Sequence, residues 1–202
     1  MTFRTLRRNP ESFILNNAIG RCEVKDLFLK VDGIQNKEQA LKWSINASLQ
    51  RNRVYKNDDH WEVREKLRNE WERLLCKEAQ AYENPSDPIS DEQHCAAITR
   101  IADALSAEFG DILVEGRLRF GTSQKALNLF LKYLWALDQI KMPPHCPIDS
   151  VVLESAGIAG SWTRCDSAEE YLGWINAIRK RLTLAEWENS TWLRWRISNS
   201  GL

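Results

Sequence analysis

The stretch QKALNLFLKYLWAL, residues 124–137, places apolar side chains on almost every face of a helix. A helix with so little polar surface is expected to lie inside the molecule, with other helices packed around it. Its polar exceptions are Lys125, Asn128 and Lys132, whose spacing puts them on one face. That stripe either presents a lysine to a ligand or forms the solvent edge of a core helix.

Helical signals also dominate the sequence on both sides of this stretch. Each predicted helix has apolar residues at helical spacing, a capping residue at its start, or both. The predicted helices cover 36–49, 59–82, 91–109, 122–137 and 147–156, and two more open at Ser167 and Thr183. Thr122 or Ser123 is the expected cap of the central helix, and Pro147 is expected in the first turn of the next one. We therefore predict an all-α fold of about eight helices.

The composition is that of an ordinary globular protein without an overall electrostatic bias. Of its 202 residues, 43% are hydrophobic and 28% are charged, and the formal net charge is zero. This length suits one compact unit over 1–202, or two lobes of about 1–85 and 86–202 with a cleft between them. Because the net charge is zero, any anion-binding surface must be a local patch.

Several classes of protein are disfavoured because their sequence signals are missing. No apolar run approaches the roughly 18 residues of a membrane-spanning helix, and residues 1–10 lack the apolar segment of a secretory signal. The five cysteines are odd in number and never form a C-x-x-C pair, which predicts reduced thiols and no zinc site. We expect a cytoplasmic protein with no membrane partner, metal or cofactor, and the oligomeric state stays open.

The loop after the central helix brings a carboxylate to the start of the next helix. Residues 143–150 read PPHCPIDS, and three prolines stiffen the approach to Asp149. A carboxylate in the first turn of a helix is stabilised by the helix dipole, and this is also its commonest structural role. Paired with Lys125 across the proline loop, Asp149 becomes a candidate for catalysis.

The order of these features resembles the helix-hairpin-helix DNA glycosylase superfamily, in its 8-oxoguanine and endonuclease-III-like branches. In those proteins a glycine hairpin, a catalytic lysine and a Pro-hydrophobic-Asp segment follow one another. The corresponding segments here are GTSQK at 121–125 and PID at 147–149, within a resemblance that covers Arg117 to Leu153. The resemblance implies a divergent member with a two-lobed, all-helical fold.

What the resemblance implies for function is base excision on DNA. Lys125 would attack C1′ of a flipped nucleotide, and Asp149 would stabilise charge on the sugar or activate the nucleophile. A Schiff base at Lys125 would add strand cleavage. If Lys125 contacts phosphate instead, Asp149 would activate water in a monofunctional enzyme. The alternative to both is a non-catalytic helical module that binds nucleic acid or another protein.

The expected partner is duplex DNA with a flipped base. Residues 117–132 contain four cations and no acidic residue, which predicts a local phosphate-binding face, and amides at the start of the central helix are further candidates. The predicted DNA contacts are Arg117, Arg119, Gly121, Thr122, Ser123, Gln124 and Lys132. The predicted base pocket contains Asn128, Trp135, His145 and Trp162, although a tryptophan in such a position is more often part of the core.

Overall fold

The computed structural model describes residues 21–57 and 61–180, and these residues form seven α-helices. They are α1 (Arg21–Asp32), α2 (Lys37–Leu49), α3 (Trp61–Glu83), α4 (Asp91–Phe109), α5 (Phe120–Ala136), α6 (Ser150–Ser155) and α7 (Ala168–Arg179), with a short 3-10 turn at Val114–Gly116. The all-α prediction is therefore confirmed. The helix predicted to open at Thr183 lies outside the described residues, and α1 was not predicted.

Helix α5 is the centre of the fold. Every one of its residues is buried except Lys125, and helices α1 to α4 all pack against it. Its leucine and phenylalanine side chains supply much of the driving force, since full burial of each contributes about 1.5–3 kcal/mol. The apolar pattern of residues 124–137 thus correctly predicted that this helix lies in the interior of the molecule.

Most helices begin where a side chain can accept a hydrogen bond from a first-turn amide. Asn36, Ser90 and Ser167 cap α2, α4 and α7, and Ser90 forms a capping box with Gln93. Two predicted starts are wrong by two or three residues. Helix α5 begins at Phe120 rather than after a Thr122 or Ser123 cap, and Pro147 lies before α6 rather than inside it.

The segment after α2 is held against the segment after α4 by a short antiparallel contact. Tyr55 and Leu113 form an isolated β-bridge, the Lys56 amide donates to the Ile112 carbonyl at 2.9 Å, and the Val114 amide donates to the Val54 carbonyl at 2.8 Å. Residues 51–56 are thereby fixed beside the start of α5.

A single cluster of buried apolar side chains runs through the described residues. It extends from Phe28 to Ile178 and includes residues from both 1–85 and 86–202. The division into two lobes stays a prediction. The thiols of Cys76, Cys95, Cys146 and Cys165 are free. Within the same part of the chain, no helix is both long and apolar enough to cross a membrane.

Candidate active site at Lys125 and Asp149

Lys125 and Asp149 lie against each other. The Lys125 ammonium donates to Asp149 Oδ2 at 3.3 Å, and the two side chains are 13% and 24% exposed. Asp149 is also the N-cap of α6, where its Oδ1 accepts from the Val152 amide at 3.1 Å. One carboxylate oxygen is therefore fixed by the helix, and the other faces the lysine.

The side chain of Gln124 holds Asp149 in this position. Its Nε2 donates to the Ile148 carbonyl at 2.7 Å, and its Oε1 accepts from the Ile148 amide at 3.1 Å. These two bonds tie the backbone next to Asp149 directly to α5. Gln124 is fully buried, so its role here is positional, and the predicted contact of Gln124 with DNA does not fit the structure.

Trp162 covers the Lys125 amine from the loop between α6 and α7. The amine lies 4.5 Å from the centroid of the ring, at a distance typical of a cation–π contact. Trp162 is itself only 6% exposed. The structure thus brings Trp162 to the candidate pair, and the ring shields one side of the amine from water.

Gly121 lets this loop approach α5 closely. A Cβ atom built on Gly121 would lie 1.8 Å from the Trp162 carbonyl oxygen, and the Gly121 amide donates to the Cys165 carbonyl at 2.8 Å. No other residue type fits there without moving the loop. Gly121 therefore acts through packing against protein rather than through contact with a phosphate.

The first amides of α5 are occupied, which corrects the predicted phosphate site at this helix start. The Phe120 amide donates to Asp166 Oδ1, and the Thr122 and Ser123 amides both donate to the Arg119 carbonyl. Thr122 and Ser123 are 2% and 0% exposed. These donors satisfy the protein itself, so they are not open to DNA.

Asn128 and His145 belong to a buried hydrogen-bond chain, which corrects their assignment to a base pocket. Both side chains are 0% exposed. The chain runs in order through Tyr82, His94, Asn128, Tyr171, His145 and Asp91, with donor–acceptor distances between 2.7 and 3.0 Å. Arg179 closes this hydrogen-bond chain with two bonds of 2.6 Å to Asp91.

Both histidines of this hydrogen-bond chain, His94 and His145, are neutral at neutral pH. Burial lowers the pKa of His94 to about 3 and that of His145 to about 4. The neutral forms give every bond one donor: Tyr82 donates to His94, His94 to Asn128, and Asn128 to Tyr171, whose hydroxyl donates to His145. A polar network satisfied in this way is a stable part of the interior.

Trp135 and Lys132 lie farther along α5 and do not join the candidate site. Trp135 is roughly ten residues beyond Lys125, or about 15 Å along the helix, and it packs under the Lys25 amine. Lys132 is 1% exposed, with its amine 4.0 Å from the centroid of the Phe28 ring. Burial lowers the pKa of Lys132 to about 7. Its predicted contact with DNA, and that of Trp135 with a flipped base, do not fit these positions.

Arg117 and Arg119 line a cavity of about 480 Å³ beside the start of α5, which we call the arginine-lined cavity. Its lining residues are Arg51, Asn52, Arg53, Val54, Val114, Glu115, Arg117, Leu118, Arg119, Thr122, Thr163 and Arg164. The sequence predicted DNA contacts at three of these residues, Arg117, Arg119 and Thr122, but not at the other three arginines. They come from segments distant in sequence, so no local pattern could have joined them.

The arginine-lined cavity and the candidate pair are neighbours in the chain but separate sites. Neither Lys125 nor Asp149 lines the cavity. Thr122 lines it one turn before Lys125 on α5, and Thr163 follows Trp162 directly. The chain matches no protein-family model, no curated protein and no solved structure.

Proposed function

We propose that the protein is a DNA glycosylase in which Lys125 is the nucleophile and Asp149 accepts its proton. The observation that carries the proposal is the 3.3 Å contact between the Lys125 amine and Asp149 Oδ2. Lys125 is also the one residue of α5 that is not buried. An amine that is partly open to solvent therefore lies within reach of a fixed carboxylate that can act as a general base.

The reaction begins with removal of a proton from Lys125, since only the neutral amine can attack. Asp149 accepts this proton. The lone pair of Nζ then forms a bond to C1′ of a flipped nucleotide, and the electron pair of the glycosidic bond leaves with the base, which takes up a proton. Nζ then loses a proton, and its lone pair displaces O4′, which takes up a proton as the C1′–O4′ bond opens, so that a Schiff base links Nζ and C1′.

The charge around the pair supports DNA as the substrate. The arginine-lined cavity carries five arginines and one glutamate, and it begins one turn from Lys125 on α5. Arginine forms paired hydrogen bonds with phosphate oxygens and is favoured where phosphate is recognised. The proposal assigns no residue to recognition of the base. Asn128 and His145 do not contact it, because both are enclosed in the interior.

A non-catalytic module that binds nucleic acid is the second candidate. The observation that favours it is the position of the arginine-lined cavity, which includes neither member of the pair. In that case the contact between Lys125 and Asp149 serves only to fasten the start of α6 to α5. The two candidates differ in one measurable property, which is covalent chemistry at Lys125.

Borohydride trapping on duplex DNA with an abasic site separates the candidates. The Lys125 amine condenses with the C1′ aldehyde, releasing water, and borohydride reduces the resulting C=N bond to a stable amine. We expect the wild-type protein to form this adduct and Lys125→Gln to lose it. Lys66→Gln is the matched control, because Lys66 is an exposed lysine on α3.

Three results would change the proposal. Base release that survives in Lys125→Gln but is lost in Asp149→Asn would leave a monofunctional enzyme in which Asp149 activates water. Equal trapping by Lys125→Gln and wild type would place the chemistry elsewhere. If neither variant differs from wild type on abasic or lesion-bearing duplexes, the non-catalytic module is the better description.

A further inference from the structure

Four segments build the arginine-lined cavity. They are residues 51–54 after α2, residues 114–119 before α5, Thr122 on α5, and Thr163 with Arg164 before α7. Its volume of about 480 Å³ falls in the range of sites that hold small molecules. The side chains of Asn52 and Thr122 join two of these segments through a hydrogen bond of 2.9 Å.

Among the residues that the structure describes, three of the five arginines at the cavity have no acidic partner. Arg117 pairs with Asp166, and Arg119 pairs with Glu115 at 2.6 Å. The exposed guanidinium groups of the others form no ion pair with any residue that the structure describes; these are Arg51, Arg53 and Arg164. Like charges gathered around a concave surface repel one another, and a bound anion relieves that repulsion.

The backbone at two lining positions adopts a conformation that non-glycine residues rarely adopt. Arg51 has a φ of 56°, and Glu115 has a φ of 57°. Both positions flank the short antiparallel contact between Tyr55 and Leu113. Left-handed backbone of this kind persists only where the surroundings hold it, and it concentrates at ligand-binding sites. Two of the three described non-glycine residues with positive φ therefore line the arginine-lined cavity, and the third, Asp138, follows α5.

We propose that the arginine-lined cavity binds a phosphomonoester, carried by a free nucleotide or by the end of a nucleic-acid strand. Three unpaired guanidinium groups exceed the single charge of one phosphodiester, whereas a phosphomonoester carries about −1.5 to −2 near neutral pH. Among the apolar lining side chains, Val114 is partly exposed and offers a surface for the attached nucleoside. The proposal does not depend on chemistry at Lys125.

Calorimetric titration of the whole chain tests this site with four probes. They are deoxyadenosine 5′-monophosphate, deoxyadenosine, a short single-stranded oligonucleotide with a 5′-phosphate, and the same oligonucleotide without it. We expect at least tenfold tighter binding of a phosphorylated probe than of its unphosphorylated partner. Binding of the mononucleotide identifies a free nucleotide as the source of the phosphate, and binding of the phosphorylated oligonucleotide alone identifies a strand end.

Variants connect the binding to the cavity. Arg53→Gln and Arg164→Gln should each lower the affinity for the phosphorylated probes at least tenfold. Arg73→Gln is the control, because Arg73 is exposed on α3, and it should leave this affinity unchanged. Equal affinity for probes with and without the phosphate, or affinity that survives both cavity variants, would overturn the proposal. Lys125→Gln should bind the mononucleotide normally, so failure of the glycosylase proposal leaves a result distinct from failure of this one.

Discussion

Single residues around Lys125 act mainly through close packing. Gly121 admits the Trp162 loop, Gln124 fastens the backbone beside Asp149, and Trp162 lies over the amine. None of these three roles was visible in the sequence. The resemblance to the glycine hairpin motif predicted both Gly121 and Gln124 as DNA contacts, because a local pattern does not show which groups the fold will enclose.

At this scale we predict opposite effects for two glycine-to-alanine changes. Gly121→Ala should lower the free energy of unfolding by several kcal/mol, since overpacking against backbone typically costs about 1–3 kcal/mol and here the loop must also move. Gly173→Ala, inside α7, should raise it by up to about 1 kcal/mol, because a Cβ there meets nothing within 4 Å. Urea denaturation measures both. A Gly121→Ala variant as stable as wild type would contradict the packing of Trp162 against α5.

Helices were predictable wherever a cap and an apolar face coincide. The sequence located α4 and α7 through Ser90 and Ser167, and it located α2 and α5 through their apolar residues. It misplaced the start of α5, because the amides there bond to Cys165 and Asp166, far along the chain, instead of to a side-chain cap. Helix ends set by tertiary contacts leave no local signal.

The capping box of α4 gives a prediction at the scale of the helix. Ser90→Ala removes the acceptor for the Gln93 amide and should lower the free energy of unfolding by about 1 kcal/mol. Ser86→Ala is the matched control, since Ser86 is exposed in the loop before α4 and its hydroxyl donates to neighbouring Asp87. Thermal denaturation of the two variants provides the comparison. An equal loss of stability in the two variants would show that the Ser90 cap does not stabilise the fold.

At the scale of the whole molecule, the buried hydrogen-bond chain joins α3, α4, α5 and α7 with the proline loop. Its members come from five separate parts of the sequence, from Tyr82 to Tyr171. Sequence analysis found Asn128 and His145 but assigned them to a pocket, since nothing in a local pattern shows that their partners are protein groups. The arginine-lined cavity escaped prediction for the same reason.

From the buried hydrogen-bond chain we predict that the protein loses stability in mild acid. His94 and His145 have their pKa values lowered to about 3 and about 4 in the folded protein, against 6.5 in the unfolded chain. Between about pH 6.5 and 4 only the unfolded state takes up these protons, so stability is full above 6.5 and falls as the pH drops. The expected slope is about 1 kcal/mol per pH unit for each histidine.

Urea denaturation across this pH range measures the slope. His145→Gln should reduce the slope by about half, whatever its effect on stability at pH 7, because one titrating group is gone. Arg179 holds the pKa of Asp91 well below its usual range. The stability that this ion pair contributes is therefore lost only at still lower pH, below about 4. A flat stability profile from pH 7 to 4.5 would contradict the neutral, buried state of the two histidines.

The central claim is that Lys125 performs covalent chemistry on DNA, and mapping the trapped adduct tests it most directly. The wild-type protein is reduced with borohydride on an abasic duplex, the DNA and protein are digested, and mass spectrometry locates the modified residue. We predict that the sugar remnant is attached to Lys125. An adduct on another lysine or on the N-terminal amine, or no adduct at all, would contradict the claim.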